Sequence, residues 1–164
     1  MLPPVLRIFS LAALALAATA QLAHAGAVTP LTIDRVTIWS NGAKPGRLIG
    51  RGSLQSGLPV NVSGGLDVHV IDADQLAVTV SFEAGDCRAI GPNRSICTKT
   101  VGATKRQRVK IHNAGDGEVR FYFQKLDVQG PLTGPVSIEM DTTDDVIMGT
   151  SGSCIGGARL LHCR

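Results

Sequence analysis

Apolar and polar residues alternate along several short segments of the chain. The clearest alternating segments are 66–70, 76–82, 108–112, 119–124 and 136–140. Their apolar positions hold Leu, Val, Ile, Phe or Met, and this period of two predicts strands that bury one face. Further strand candidates lie earlier in the chain, at 31–39, 47–51 and 58–62.

Turn-forming residues separate these segments. Asn, Asp, Ser, Gly and Pro cluster at 41–42, 63–65, 72–74, 91–93 and 113–117. Such residues tolerate positive φ or start turns. The chain has 19 Gly and 8 Pro, and no convincing amphipathic helix follows residue 25. About seven to nine short strands are typical of an antiparallel sandwich or a small barrel, and we expect the all-β sandwich.

The first 25 residues have the features of a secretory signal peptide. Arg7 is their only Lys, Arg, Asp or Glu, an apolar run covers 8–20, and Ala23-His24-Ala25 is a small-x-small cleavage site. The apolar run is shorter than the roughly 20 residues that span a bilayer. We therefore expect residues 26–164 to form one exported domain, periplasmic or secreted, with no membrane span.

The four cysteines all follow the predicted signal peptide, at Cys87, Cys97, Cys154 and Cys163. An even number in an exported chain favours two disulfides. Three pairings are possible, and proximity in the chain favours Cys87 with Cys97 and Cys154 with Cys163. The alternative is a four-thiolate zinc site, which usually has Cys-x-x-Cys pairs, and the chain has none. The Gly- and Ser-rich segment 149–164 is expected to be a loop held by a disulfide, with one edge strand around 158–161.

One segment resembles a known family. In 108–123, the turn Asn113-Ala-Gly-Asp-Gly117 joins two alternating runs. This unit is similar to the strand–turn–strand unit of bacterial extracellular immunoglobulin-like domains, and the segment from Cys87 to Thr98 resembles the disulfide-closed hairpin of some of them. The resemblance covers about a quarter of the chain and implies an immunoglobulin-like sandwich. The usual Cys…Trp…Cys order is missing because Trp39 precedes all four cysteines, and the resemblance implies no activity.

Charge excludes some classes of partner. The formal net charge is +3, of which Arg7 supplies one, and aromatic residues make up 4% of the chain. Nucleic-acid-binding proteins usually have a stronger charge and several stacking aromatics, so we expect no nucleic-acid partner. A basic run remains, and we consider it a candidate contact with an anion or partner: Lys105, Arg106, Arg108 and Lys110. Alternatively, these charges only keep a strand soluble and discourage edge pairing.

Metal and catalytic sites have simpler explanations. Asn113, Asp116 and Glu118 offer oxygens at alternating spacing for calcium, but a hairpin turn explains the same residues. Two acidic clusters could serve a hydrolase, and they are Asp67, Asp72 and Asp74, and Asp141, Asp144 and Asp145. A glycosidase needs two carboxylates facing each other across a cleft, which nothing in the sequence requires. We expect no metal, no cofactor and no catalysis.

The sequence therefore predicts an exported, non-catalytic interaction module of the periplasm or cell envelope, with an unidentified protein or envelope partner. Two alternatives remain open at this point. One is a structural subunit of a pilus or coat, and the other is a small secreted hydrolase that uses acidic loop residues.

Overall fold

The computed structural model describes residues 28–41, 44–55, 60–74, 77–113, 117–128, 132–157 and 159–164. The predicted signal peptide, 1–25, lies outside these ranges. Within them the regular structure is β-strand, apart from one 3₁₀ turn at Ala84–Asp86. No helix in the described part is long and apolar enough to cross a membrane. The all-β prediction is confirmed.

The described residues form twelve strands, more than the seven to nine that the alternation predicted. They are β1 Val28–Asn41, β2 Lys44–Leu54, β3 Gly65–Ile71, β4 Ala77–Glu83, β5 Cys87–Gly91, β6 Arg94–Val101, β7 Lys105–His112, β8 Gly117–Leu126, β9 Ser137–Asp141, β10 Val146–Thr150, β11 Cys154–Gly157 and β12 Leu160–Cys163.

The long strand β1 joins two groups of strands. Near its start, Val28 pairs in parallel with Val146 of β10, whereas Val36 pairs antiparallel with Gly50 of β2 and with Cys163 of β12. The first group is β4-β3-β9-β10, and the second is β2-β8-β7-β6-β5 together with β12 and β11. Apart from β1 with β10, the described strand pairs are antiparallel. The twelve-stranded sheet curves and comes close to a barrel in shape.

Both groups bury their inner faces in one core. Phe82 of β4 and Phe123 of β8 have ring centroids 6.3 Å apart, and Phe121 lies 6.1 Å from Phe123. All three rings are at most 3% exposed, as the alternation predicted. Since side chains alternate across a strand, the outer faces of both groups point away from this shared core.

Some segments differ from the sequence prediction. Of the strand candidate at 58–62, residues 58 and 59 lie outside the described ranges, and 60–62 form no strand although Val60 and Val62 are buried. The end of the chain is a β11–β12 hairpin rather than a loop, because β12 pairs with β1 and buries Leu161 in the core. Strand β10 was not predicted, and its Gly149 lies where a Cβ atom would overlap the Leu31 carbonyl oxygen of β1. Glycine is required there because β10 and β1 approach each other closely, and it interrupts the apolar pattern from which the strand could have been predicted.

The two disulfides have the pairing that proximity favoured. Cys87 is bonded to Cys97 and Cys154 to Cys163, with no free cysteine. In each case the two cysteines are direct neighbours on adjacent antiparallel strands. The zinc alternative is therefore wrong, and two disulfides are typical of proteins in an oxidising, extracellular environment.

Candidate binding surface

Four cations stand side by side on the outer face of the second strand group. Arg35 of β1 is the register partner of Arg51 of β2, Arg51 is the partner of Arg120 of β8, and Arg120 is the partner of Lys110 of β7. We call these four residues the cation row. Adjacent strands lie about 4.8 Å apart, so the positive charges follow one another at that spacing. Like charges directly opposite each other destabilise a sheet, so folding alone does not favour this row.

A β-bulge places the first member of the row on this face. The pairing of β1 with β2 shifts register between Ile33 and Arg35. Ile33 and Val36 are both buried, whereas Asp34 and Arg35 between them are both exposed. A bulge inserts one residue and re-aims the side chains that follow it. The change of apolar phase between Ile33 and Val36 is a sequence signal that could have revealed it.

Glu118 partly neutralises the centre of the row. Its Oε2 lies 2.9 Å from Arg120 Nη2, and its Oε1 lies 2.7 Å from Arg51 Nε, close enough for an ion pair but without hydrogen-bond geometry. Asp34 Oδ2 is 3.7 Å from Arg51 Nε. The hydrogen bond from Arg120, together with the charges of Arg120 and Arg51, lowers the pKa of Glu118 against the opposing effect of burial. Arg35 and Lys110, at the two ends, have no ion pair among the described residues.

The cation row lines a groove of about 420 Å³. Its walls also include the side chains of Ile49, Arg108 and Tyr122. Arg108 is half-buried, and its buried Nε has no hydrogen-bond partner among the described protein atoms. A buried donor without a partner costs roughly 1–3 kcal/mol.

The only tryptophan and the only tyrosine of the chain lie on this same face. The Arg47 guanidinium carbon is 5.3 Å from the Trp39 ring centroid and 5.2 Å from that of Tyr122. These distances allow cation–π contacts that hold both rings in place. The alternation within β8 predicted that Tyr122 points outward, whereas its position beside Trp39 and Arg47 follows only from the pairing of strands.

The predicted basic run is only partly assembled into the site. Arg108 and Lys110 line the groove. Arg106 is two residues from Arg108 on the same strand phase, and its backbone N–H donates to Gln124 Oε1. Lys105 lies on the opposite phase, at the turn where it pairs with Val101. The other cations of the row come from β1, β2 and β8, outside the run.

The calcium candidates do not form a cation site in the described structure. Asp116 lies outside the described residues, and the Glu118 carboxylate faces two guanidinium groups that would repel a cation. The buried Asn113 Oδ1 has no hydrogen-bond partner there. Within the described ranges, no three His, Cys, Asp or Glu residues are grouped in a way that could hold a metal ion.

The acidic clusters are divided between two ends of the first strand group. Asp67 and Asp141 are register partners on β3 and β9, side by side on one sheet face. Asp72 and Asp74 instead bind a loop. The Asp72 carboxylate accepts hydrogen bonds from the Thr133 and Asp74 N–H groups, and the Asp74 carboxylate accepts one from the Thr133 hydroxyl. Asp144 accepts a hydrogen bond from the Asn61 side chain, and Asp145 lies in the same turn.

Replacing Glu118 with glutamine is expected to affect stability by at most about 1 kcal/mol, the usual value for exposed ion pairs. Because the folded pKa of Glu118 is lowered, its stabilising effect is present above the ordinary glutamate pKa and is lost as the pH falls through the lowered value. Urea unfolding of both proteins from neutral to acid pH checks this. A stability difference that grows towards acid pH would contradict it.

The same variant also tests the electrostatics of the groove. Removing one negative charge between Arg51 and Arg120 should strengthen the binding of an anionic polymer. Arg120 then loses its carboxylate partner, and Arg51 keeps only the longer contact with Asp34. Binding to dextran sulfate weakened by Glu118→Gln would show that Glu118 organises the row rather than screens it.

No protein-family model, curated protein or solved structure matches this chain, so its function is inferred from the cation row and the groove themselves.

Proposed function

We propose that the protein is an exported, non-catalytic binding module that uses the cation row and its groove to bind an anionic partner in the periplasm or cell envelope. The observation that carries the proposal is the row itself, with four cations in direct register across four strands. Repulsion within the row falls when an anion binds, so part of the binding free energy comes from relief of that repulsion.

The surroundings of the row support ligand binding rather than a purely solubilising role. Arg35 and Lys110 are not paired with any described carboxylate, and Arg108 Nε is buried without a protein acceptor. Arg47 holds Trp39 and Tyr122 beside the groove. Cationic groups next to rigid aromatic rings are a frequent composition of binding surfaces.

Export and an immunoglobulin-like sandwich are part of the same proposal. The signal-like segment before residue 26 and the two disulfides support an oxidising compartment. The shared core between the two strand groups supports a layered, sandwich-like arrangement. The absence of catalysis is proposed because Asp67 and Asp141 are neighbours on one sheet face, while Asp72 and Asp74 are engaged with Thr133.

Reversing two charges of the groove tests the proposal. Arg108→Glu with Lys110→Glu is expected to weaken binding to immobilised dextran sulfate by more than tenfold. The interaction between two unit charges about 4 Å apart is worth about 1 kcal/mol in water. A tenfold change in affinity corresponds to about 1.4 kcal/mol. Surface plasmon resonance at fixed salt concentration measures the change.

The matched control changes the same net charge away from the groove. Lys105→Glu with Lys125→Glu alters two exposed lysines that do not line it. We expect this control to lose less than threefold in affinity at physiological salt, because screening over about 8 Å reduces the effect of distant charges. Equal losses in both double variants would show that binding follows net charge alone, and the proposed site would be wrong.

A further inference from the structure

Positive and negative residues are unevenly distributed between segments of the chain. The chain has no Lys or Arg from 52 to 87 or from 126 to 158, and these two segments hold ten of its 13 Asp and Glu residues. They contain β3, β4, β9 and β10, the first strand group. The 15 Lys and Arg residues that follow the signal-like segment all lie outside them.

Three acidic residues of the first group, Asp67, Glu139 and Asp141, lie together on its outer face. Asp67 and Asp141 are direct register partners, and Glu139 is the partner of His69 on the same two strands. These residues lie on the strand phase opposite to the buried Val68 and Met140. We call the outer surface of β3 and β9 the acidic face, and the outer surface of β1, β2, β8 and β7 that carries the cation row the basic face.

Each face also exposes large apolar side chains next to its charges. On the acidic side, Met148 of β10 is the register partner of Glu139 and is 40% exposed. On the basic side, Trp39 and Leu160 are register partners and are 37% and 44% exposed. A charged patch beside exposed apolar side chains is typical of protein–protein interfaces.

We propose that the partner of the basic face is the acidic face of a second copy of this chain. This inference rests on the proposed function, because it takes the basic face as a binding surface and names what binds there. The cation row would meet Asp67, Glu139 and Asp141, while Trp39 and Leu160 would meet apolar side chains around Met148. Charge complementarity favours this occupant, since one molecule carries both surfaces.

The position of the two faces determines the form of the assembly. They are two different surfaces, carried by different strand groups around one core, so the contact is head-to-tail and leaves one free face at each end. A heterologous contact that does not close into a ring produces open chains. Such chains join faces, and they therefore differ from the edge-to-edge strand pairing that pilus-type subunits would use.

Sedimentation velocity of the exported protein tests the inference. At about 0.02 M NaCl the weight-average mass should rise with protein concentration, and at about 0.5 M NaCl it should return to that of the monomer, because salt screens exposed charges. Arg35→Glu with Lys110→Glu, and separately Asp67→Lys with Glu139→Lys, should each weaken association at least tenfold. Mixing the two variants should restore it, since every contact then joins opposite charges again. Lys105→Glu with Lys125→Glu is the control and should associate like the unaltered protein.

Three results would overturn the inference. They are a monomer at every concentration in low salt, association of the acidic-face variant as strong as that of the unaltered protein, and no recovery on mixing. The acidic-face variant keeps the basic face intact and should still bind dextran sulfate. If the unaltered protein stays monomeric and still binds dextran sulfate through the groove, only the second copy as partner is removed. If dextran sulfate binding is unchanged by Arg108→Glu with Lys110→Glu, the proposed function itself is wrong.

Discussion

Reduction of both disulfides is expected to lower the free energy of unfolding by about 5 kcal/mol. Cys87–Cys97 and Cys154–Cys163 close loops with sequence separations of 10 and 9 residues. The chain-entropy model gives roughly 2.5–3 kcal/mol for each loop of this size. Since domains are typically stable by only about 5–15 kcal/mol, the reduced protein should be partly unfolded at moderate temperature.

The measurement is urea unfolding with and without excess reductant, with alkylation to confirm that the thiols are free. Replacing one cysteine pair with alanine, either Cys87 with Cys97 or Cys154 with Cys163, should reproduce about half of the loss and leave the other half sensitive to reductant. An unfolding curve that does not change on complete reduction would show that the bonds add nothing to stability.

Replacing Phe123 with alanine is expected to cost about 3–5 kcal/mol, the usual range for deleting a buried aromatic ring. Phe123 is 0% exposed and contacts rings on both sides of the core, Phe82 from β4 and Phe121 from its own strand. The change therefore leaves a cavity between the two strand groups. Urea unfolding of the oxidised protein measures it.

An apolar residue on the surface provides the control for this substitution. Ile155 is 79% exposed, so Ile155→Ala should change the free energy of unfolding by no more than about 0.5 kcal/mol. Phe123→Leu keeps much of the buried volume, so its loss of stability should lie between those of Ile155→Ala and Phe123→Ala. A loss below about 1 kcal/mol for Phe123→Ala would mean that the core closes over the missing ring, contrary to the packing described.

The difference between patterns within one strand and contacts between distant strands explains which parts of the candidate site could be predicted. Tyr122, Arg108 and Lys110 were placed on outward phases because their neighbours alternate regularly within one strand. Arg35 and Arg51 were missed because they join Arg120 only through the pairing of three strands. Alternation determines which face a residue occupies, and it contains no information about which strand lies next to it.

The sequence by itself determined the all-β class and the inward phase of Phe82, Phe121 and Phe123. Proximity in the chain favoured the cysteine pairing that the structure has, without excluding the other two. These properties depend on residues within about ten positions of one another. Only the tertiary structure decided the parallel pairing of β1 with β10, the β11–β12 hairpin against β1, the cation row and the opposite charge of the two outer faces. Those features come from register between strands far apart in the chain, which is set by the packing of the whole core rather than by any local pattern.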